Sequence, residues 1–375
     1  MKFRCERDAL VEQLSTASRA VSSRGGALPV LTGIHLKASD DVLTMTGSDL
    51  EITVRSSIAV SVSEPGEAVL PSRIAVDIVR SLDSGAIDVE VSGDEAKISG
   101  GRSQFAVRTL PVDDFPSIAD PTGDQVSVAT VDLTAGLKQV VRAASGDDAR
   151  PILTGVLMSA EDGGLRLVAT DSYRLAVRDL PDATVLSEGQ KVLVPSRALD
   201  ELTRVLGDSD EVTVCLGERE VSFDVVIEDG SVQVTTRLIE GEFPNYRQLI
   251  PSSYPNQLTI GRESLLEAVR RVKLMARDTT PLRITQKSDS VELMAVTQDV
   301  GQAHEEVDAQ YNGDELTVAF NPDYLIQGLE AAPGDEVVLE TLDALKPAVL
   351  RSTEGGDFLY LLMPVRVSLL IASSN

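Results

Sequence analysis

Apolar positions in this chain follow two periods. Over residues 6–21, ERDALVEQLSTASRAV, the residues Leu10, Leu14, Ala17 and Val21 fall on one face of a 3.6-residue period, which predicts an amphipathic helix. LTAGLKQVVRAAS (133–145) does the same with Leu133, Leu137, Val140, Val141 and Ala144, and RESLLEAVRRVKLM (262–275) with Leu265, Leu266, Val269 and Val272. A second set of helices is expected after Pro71-Ser72, Pro195-Ser196 and Asn321-Pro322, where Ser or Asn caps the first turn and proline suits the entry. Between helices the period drops to two. VTVCL and VSFDV, separated by GERE, read as the strands of a hairpin.

The pattern repeats. LPVLTGIHL (28–36) returns as RPILTGVLM (150–158), and aligning Pro29 with Pro151 or Asp49 with Asp171 gives the same offset of 122. AVLPSRIAVDIVRSL (68–82) matches VLVPSRALDELTRVL (192–206), and TLPVDDFPS (109–117) matches RLIEGEFPN (237–245). A fainter third copy runs through TTPLRITQKSDSVELMAVTQD (279–299) and LTVAFNPDYLIQGLEAA (316–332). A period this long excludes a solenoid of short units. It predicts three similar α+β domains, each with two helices on antiparallel sheet, at 1–121, 126–250 and 257–368. The proline-bearing links DFPSIADPTGDQ (114–125) and FPNYRQLIPSSYPNQ (243–257) join them.

Composition refines this. No apolar run reaches the roughly 20 residues of a membrane helix, and the start, MKFRCERDAL, lacks the apolar stretch of a signal peptide, so a cytoplasmic location is expected. Cys5 and Cys215 are then expected as two buried thiols rather than a disulfide. A net charge of −25 argues at first against a nucleic-acid partner. The distribution reverses that argument. The six predicted helices with their ends (4–24, 72–82, 132–150, 196–206, 262–277 and 321–331) hold 16 basic against 13 acidic residues, while the remainder carries −28. Basic helices and acidic sheets suit a protein that meets a polyanion on one surface and repels it elsewhere. Trp is absent and no aromatic stacking platform accompanies the basic positions, so loose contact with duplex phosphates is expected rather than base readout.

Catalysis has little to work with here. His35 and His304 are the only histidines, and neither sits in metal-ligand spacing. His35 falls in a predicted strand and reads as structural. No Walker-type phosphate loop and no GxSxG elbow occurs. Asp147-Asp148 and Glu305-Glu306 fit solvated turns or interface charge. No enzyme activity, metal or cofactor is expected.

Taken in order, the triplicated plan, the opening MKF, the LPVL segment, ATDSYRLAV, EFPNYRQLIP and the closing YLLMPVRV resemble the bacterial sliding clamp, the beta subunit of DNA polymerase III holoenzyme, over residues 1–367. The resemblance implies a head-to-tail homodimer, a six-domain ring that encircles duplex DNA without sequence preference. Such a ring tethers replicative and repair polymerases and is opened by a clamp loader. It also implies an apolar cleft for partner peptides. The positions matching that cleft are Leu153, Thr170, Ser172, Tyr173, Arg174, Leu175, Pro244, Gln248, Leu249, Leu345, Pro347, Met363, Pro364, Val365 and Arg366. Arg174 and Arg366 are expected at its rim. Phe105 and Val107 would meet Leu274 and Met275 of a second subunit. The residues expected to face DNA are Arg24, Arg73, Arg80, Lys138, Arg142, Arg150, Arg197, Arg204, Arg270, Arg271, Lys273 and Arg277, with some paired to nearby carboxylates. Members of that family often carry Gly where Ser172 stands and Arg where Gln248 stands, which puts peptide preference in question. The tail SLLIASSN has no counterpart in the resemblance. A competing reading is an acidic scaffold that binds peptides but never DNA, such as a specialised second clamp.

Overall fold

A computed structural model of the chain describes residues 1–22, 28–119, 122–207, 209–277 and 280–366. Six helices form where the 3.6-residue pattern lies: α1 (Arg7–Ser18), α2 (Ser72–Ser81), α3 (Thr130–Val140), α4 (Ser196–Leu206), α5 (Arg262–Lys273) and α6 (Pro322–Ala331). Their ends correct the sequence reading. α1 stops three residues short of Val21, and the Ser15 and Ser18 hydroxyls bond back to the carbonyls of Val11 and Ser15, as serine does near a helix end. α3 starts three residues earlier than expected and ends at the β-branched pair Val140-Val141, giving way to a 3-10 turn over Val141–Ala143. Asn321 caps α6 through the backbone N–H groups of Asp323 (2.8 Å) and Tyr324 (3.4 Å). Ser72 does not cap: Pro71 occupies the N-cap position of α2, and no side chain closes it.

Two compact units divide the chain, Met1–Thr134 with Arg197–Leu238, and Ala135–Ser196 with Ile239–Asn375. In the first, a five-stranded antiparallel sheet runs in the order Ser61–Glu64, Lys2–Glu6, Ala86–Ser92, Glu95–Gly100, Ser103–Arg108. An eight-stranded sheet runs Asp124–Ala129, Glu211–Leu216, Glu220–Ile227, Gly230–Arg237, Ile52–Ala59, Val42–Ser48, Gly33–Ser39, Gly66–Pro71. In the second unit a nine-stranded sheet runs Lys191–Pro195, Gly155–Glu161, Gly164–Thr170, Arg174–Leu180, Phe358–Leu362, Ala348–Ser352, Glu336–Thr341, Asn256–Gly261, Gln310–Asn312. A four-stranded sheet runs Gly301–Asp308, Ser290–Thr297, Leu282–Gln286, Leu316–Phe320.

The strands of the middle repeat are therefore shared out. Gly230–Arg237 pairs with Ile52–Ala59 of the first copy, Val234 opposite Val54, and Arg174–Leu180 pairs with Phe358–Leu362 of the third, Ala176 opposite Tyr360. Backbone ladders, not only side-chain contacts, carry the joins between copies. Ala20, Ile52, Val54, Ala198, Val232 and Val234 form a core across the first of them. The main core of the first unit gathers Leu10, Leu14 and Ala17 of α1 with Ile34, Leu36, Leu43, Met45 and Ile87 of both sheets. Gly47 lets α1 lie close on the sheet, because a Cβ there would come 2.0 Å from the Ala17 carbonyl oxygen.

Cys5 and Cys215 are both buried thiols. Burial, with Glu6 and Asp88 nearby, pushes the Cys5 thiol up to about 12, and burial raises Cys215 as well. Since the thiolate is the reactive form, neither should be alkylated by iodoacetamide at pH 8 in the folded protein. Both should react once denaturant is added, as read by mass spectrometry.

Candidate partner-binding groove

The repeat builds the same tight turn twice. Asp49 Oδ1 accepts from the backbone N–H groups of Glu51 (3.0 Å) and Ile52 (2.9 Å), and Asp171 Oδ1 accepts from Tyr173 (2.9 Å) and Arg174 (3.0 Å). A hydroxyl two residues before each turn apex takes the apex N–H, Ser48 for Leu50 and Thr170 for Ser172. Both apices are left-handed, Leu50 at φ 76° and Ser172 at φ 80°. In the second copy this conformation pushes Tyr173 out to 59 % exposure at the end of a strand. A left-handed non-glycine residue costs on the order of 1 kcal/mol. Ser172→Gly relieves that strain but gives the unfolded chain about 0.4–1 kcal/mol more conformational entropy, so the thermal denaturation midpoint should stay close to wild type, with loss of only the exposed bond from Arg150 to the Ser172 hydroxyl (3.2 Å).

Strand register then brings separated sequence together. Leu362 lies opposite Arg174 on one side and Ala348 on the other, so Tyr173, Met363 and Pro347 come side by side at one end of three neighbouring strands. The Met363 N–H donates to the Tyr173 carbonyl (2.9 Å), and the Val365 N–H to that of Ala319 (2.8 Å), which fixes the 363–365 segment. Asp343 accepts from the backbone N–H groups of Leu345 and Lys346, turning the chain so that Leu345 stands 63 % exposed. Leu175 and Thr170 are buried beneath. Leu153, also buried, sits on the 3-10 turn Pro151–Thr154, and its carbonyl accepts from Ser145 N–H. Gln248 and the exposed Leu249 lie on the 3-10 turn Tyr246–Leu249, and Pro244 is exposed just before it. Pro364 is half-buried, and Val365 and Arg366 are exposed. Tyr173, Leu249, Leu345, Met363 and Val365 are all large apolar side chains left in water, more than a folded surface needs in one unit.

Arg174 is not at a rim. It is 8 % exposed, with donors to Asp171 Oδ2 (3.1 Å), the Tyr360 hydroxyl (3.3 Å), Gln327 Oε1 and the Arg142 carbonyl. Its guanidinium lies over the Tyr324 ring at 4.4 Å, and Tyr324 in turn stacks with Tyr173 at 6.5 Å. Burial pushes the Tyr360 phenol up to about 12, against the opposing pull of Arg174, so Tyr360 stays a neutral partner. Gly328 of α6 packs flat on Tyr360, and a Cβ there would approach the ring to 2.6 Å. Gly328→Ala should cost about 1–3 kcal/mol by overpacking, visible as a lower denaturation midpoint. Tyr324, Gln327 and Tyr360 escape sequence reading because the pairing of the 174–180 and 358–362 strands brings Tyr360 to Arg174, and the packing of α6 brings Tyr324 and Gln327.

Most of the basic residues assigned to a DNA-facing role are engaged. Arg142 and Arg270 share Glu330 (2.8 and 2.9 Å), Arg271 meets Glu305 (2.5 Å), Lys273 meets Asp323, and Arg204 bridges Asp200 and Glu201. Arg197 reaches Asp49, and Arg73 approaches Asp77 at 3.9 Å. Arg150 is held by Asp147 (3.0 Å) at the Ser172 turn; the Ala149 N–H and Arg150 hold the Asp147 carboxyl below its usual range. Arg80 donates to the Ser15 hydroxyl (3.3 Å). Lys138 and Arg277 make no ion pair with another described residue, and Arg24 lies outside the described residues. Exposed pairs of this kind contribute only about 0–1 kcal/mol each, so phosphate oxygens can replace the carboxylates at little cost.

Three repeated α+β copies, with Tyr173, Pro347 and Met363 side by side at the end of one sheet, have the make-up of a binding scaffold. Comparison with known proteins agrees. Residues 1–119 match the N-terminal domain of the DNA polymerase III beta subunit, 127–245 its central domain and 247–366 its C-terminal domain. The chain is 34% identical to the beta sliding clamp of Streptomyces coelicolor, over 98% of this chain and 100% of that one. It is 33% identical to that of Staphylococcus aureus, over 98% and 99%. The sliding clamp of Bacillus subtilis superposes with a TM-score of 0.89 at 30% identity over 98% and 99% of the two chains. A Pseudomonas aeruginosa clamp bound to griselimycin gives 0.89 at 30% over 98% and 100%. The chain belongs to the DNA polymerase III beta subunit family, the bacterial beta sliding clamps. It is a non-catalytic processivity factor of DNA replication. Among the described residues no helix is long and apolar enough to cross a membrane.

Proposed function

We propose that two copies close head to tail into a ring around duplex DNA, with domains at 1–121, 126–250 and 257–368, in the cytoplasm. The basic helix residues hold the duplex loosely. The groove beside Tyr173 and Met363 docks short apolar peptides of the DNA polymerase III alpha subunit, the clamp loader and other polymerases and repair proteins. The observation that carries closure is a pair of open sheet edges of opposite charge. Ser103–Arg108 ends the five-stranded sheet with Phe105 exposed and Arg102 and Arg108 around it. Gly301–Asp308 ends the four-stranded sheet with Glu306 and Asp308 exposed. Open edges invite pairing, and each of these supplies what the other lacks.

Topology supplies the test. Salt weakens phosphate contacts by screening and counterion release but cannot cut a link. The protein should leave linear DNA in 0.5 M NaCl yet remain on a loaded closed circle. Equal loss from both would leave the peptide-binding scaffold that never holds DNA. For the groove, Met363→Ala should weaken a polymerase-tail peptide by about 1–3 kcal/mol, the worth of a buried apolar contact, with the oligomer intact. Unchanged affinity measured by calorimetry would place the peptide elsewhere.

A further inference from the structure

The first unit repeats the backbone of the groove and lines it differently. Arg237 donates its N–H to the Glu51 carbonyl (3.2 Å), as Met363 does to that of Tyr173. Glu220 lies opposite Arg237, in the place that Pro347 holds beside Met363. One step further in, Thr235 pairs with Thr53, where Leu361 pairs with Leu175. A cavity of about 200 Å³ opens here, with Glu51, Thr53, Glu220, Thr235 and Arg237 in its lining and the 116–119 link along one side.

The backbone does not require these side chains. In the other unit Leu175 and Leu361 sit in an apolar cluster, so leucine serves at both floor positions. The first unit keeps hydroxyls there. That of Thr53 bonds the Ser48 hydroxyl (2.8 Å), and that of Thr236 the Glu51 carbonyl (3.0 Å). Thr235 is 8 % exposed and lines the cavity, and its hydroxyl has no hydrogen-bond partner among the described residues. A nearly buried hydroxyl in that state has given up hydration without a replacement, and a bound polar group would supply the missing bond.

The rim alternates in charge. Glu51, Arg237 and Glu220 come side by side on neighbouring segments, yet none of them forms an ion pair with another described residue. A carboxylate, a guanidinium and a carboxylate in a row complement a ligand that presents a cation, an anion and a cation in turn. Alternate residues of an extended peptide share one face, so a basic, an acidic and a basic residue at every second position meet that row. Leu50 and Ile118 beside it suit the aliphatic stems of the basic side chains. We infer that this cavity docks a charged partner peptide of that pattern. Glu51 and Glu220 take its basic side chains, Arg237 its carboxylate, and the Thr235 hydroxyl donates to a backbone carbonyl.

Two end-capped peptides of one composition, Lys-Ser-Glu-Ser-Lys and its isomer Lys-Ser-Lys-Ser-Glu, are titrated into the full chain by calorimetry at fixed ionic strength. The first should bind severalfold tighter, because only its order matches the rim, whereas general attraction to a chain of net charge −25 treats both alike. Arg237→Met gives the rim the residue of the other groove and makes the protein one charge more negative. General attraction for a peptide of net positive charge then grows. A fall in affinity of about fivefold, the upper range for an exposed pair, therefore assigns the peptide carboxylate to Arg237. Arg237 is exposed, so this variant should keep the wild-type denaturation midpoint. Thr235→Leu, again the other unit's residue, should weaken the matched peptide severalfold. Equal binding of the two isomers, unchanged or tighter binding in Arg237→Met, or full affinity in a folded Thr235→Leu would each overturn the site.

Discussion

Alanine at both Leu274 and Met275 should leave a chain that sediments near 40.0 kDa, half the mass of the dimer proposed for the wild type under the same conditions. Leu274 follows α5 directly and is 79 % exposed, the most exposed large apolar side chain among the described residues. Met275 is half-buried, and its carbonyl accepts from the Thr297 hydroxyl at 2.6 Å, which anchors the turn independently of the side chain. Truncating each to alanine removes about two to three methylene equivalents at ~0.8 kcal/mol apiece. A closed ring has two joints, so the loss counts twice. Allowing for the part of Met275 already buried, ~4–8 kcal/mol is expected, about three to six decades in dimer dissociation. Thermal stability of the separate chain should move little, since neither side chain is a core residue. A double variant that stays a dimer at wild-type tightness would place the joint at other strands.

Much of the fold was legible because periodicity and repetition are local signals. Leu265, Leu266, Val269 and Val272 announce α5, and all four are buried as the spacing requires. The matching of Asp49 with Asp171 reaches down to individual hydrogen bonds, an agreement that sequence can suggest but not demonstrate. What stayed hidden was long-range pairing. Nothing near residue 234 says that it will lie opposite Val54, yet that ladder moves half of the middle repeat into the first unit. The groove divides the same way. Tyr173 and Met363 could be named from the resemblance, whereas Tyr324 and Gln327 depend on where α6 comes to rest. Ion pairing was equally opaque: a count of basic residues could not tell that Arg142 and Arg270 converge on Glu330.

Arg174 is where the two readings of the groove separate. Were it a rim residue, Arg174→Ala would weaken peptide binding and leave stability alone. Buried as it is, the substitution removes the cation from beside Asp171, itself almost fully buried, and strands the Gln327 oxygen and the Arg142 carbonyl. Removing one partner of a buried pair costs about 3–5 kcal/mol, so a large drop in the denaturation midpoint is expected. Arg174→Lys keeps the charge but has no planar fork to reach four acceptors or to lie over Tyr324, and it should recover only part of the loss. Peptide affinity should fall in both variants, because the turn that presents Tyr173 is tied down through Arg174. Met363→Ala makes the contrast: affinity should fall with the midpoint held. The decisive comparison is therefore the pair of measurements on each variant. If Arg174→Ala lowers affinity while its midpoint matches wild type, the guanidinium acts on the peptide itself and the buried latch is not what shapes the groove.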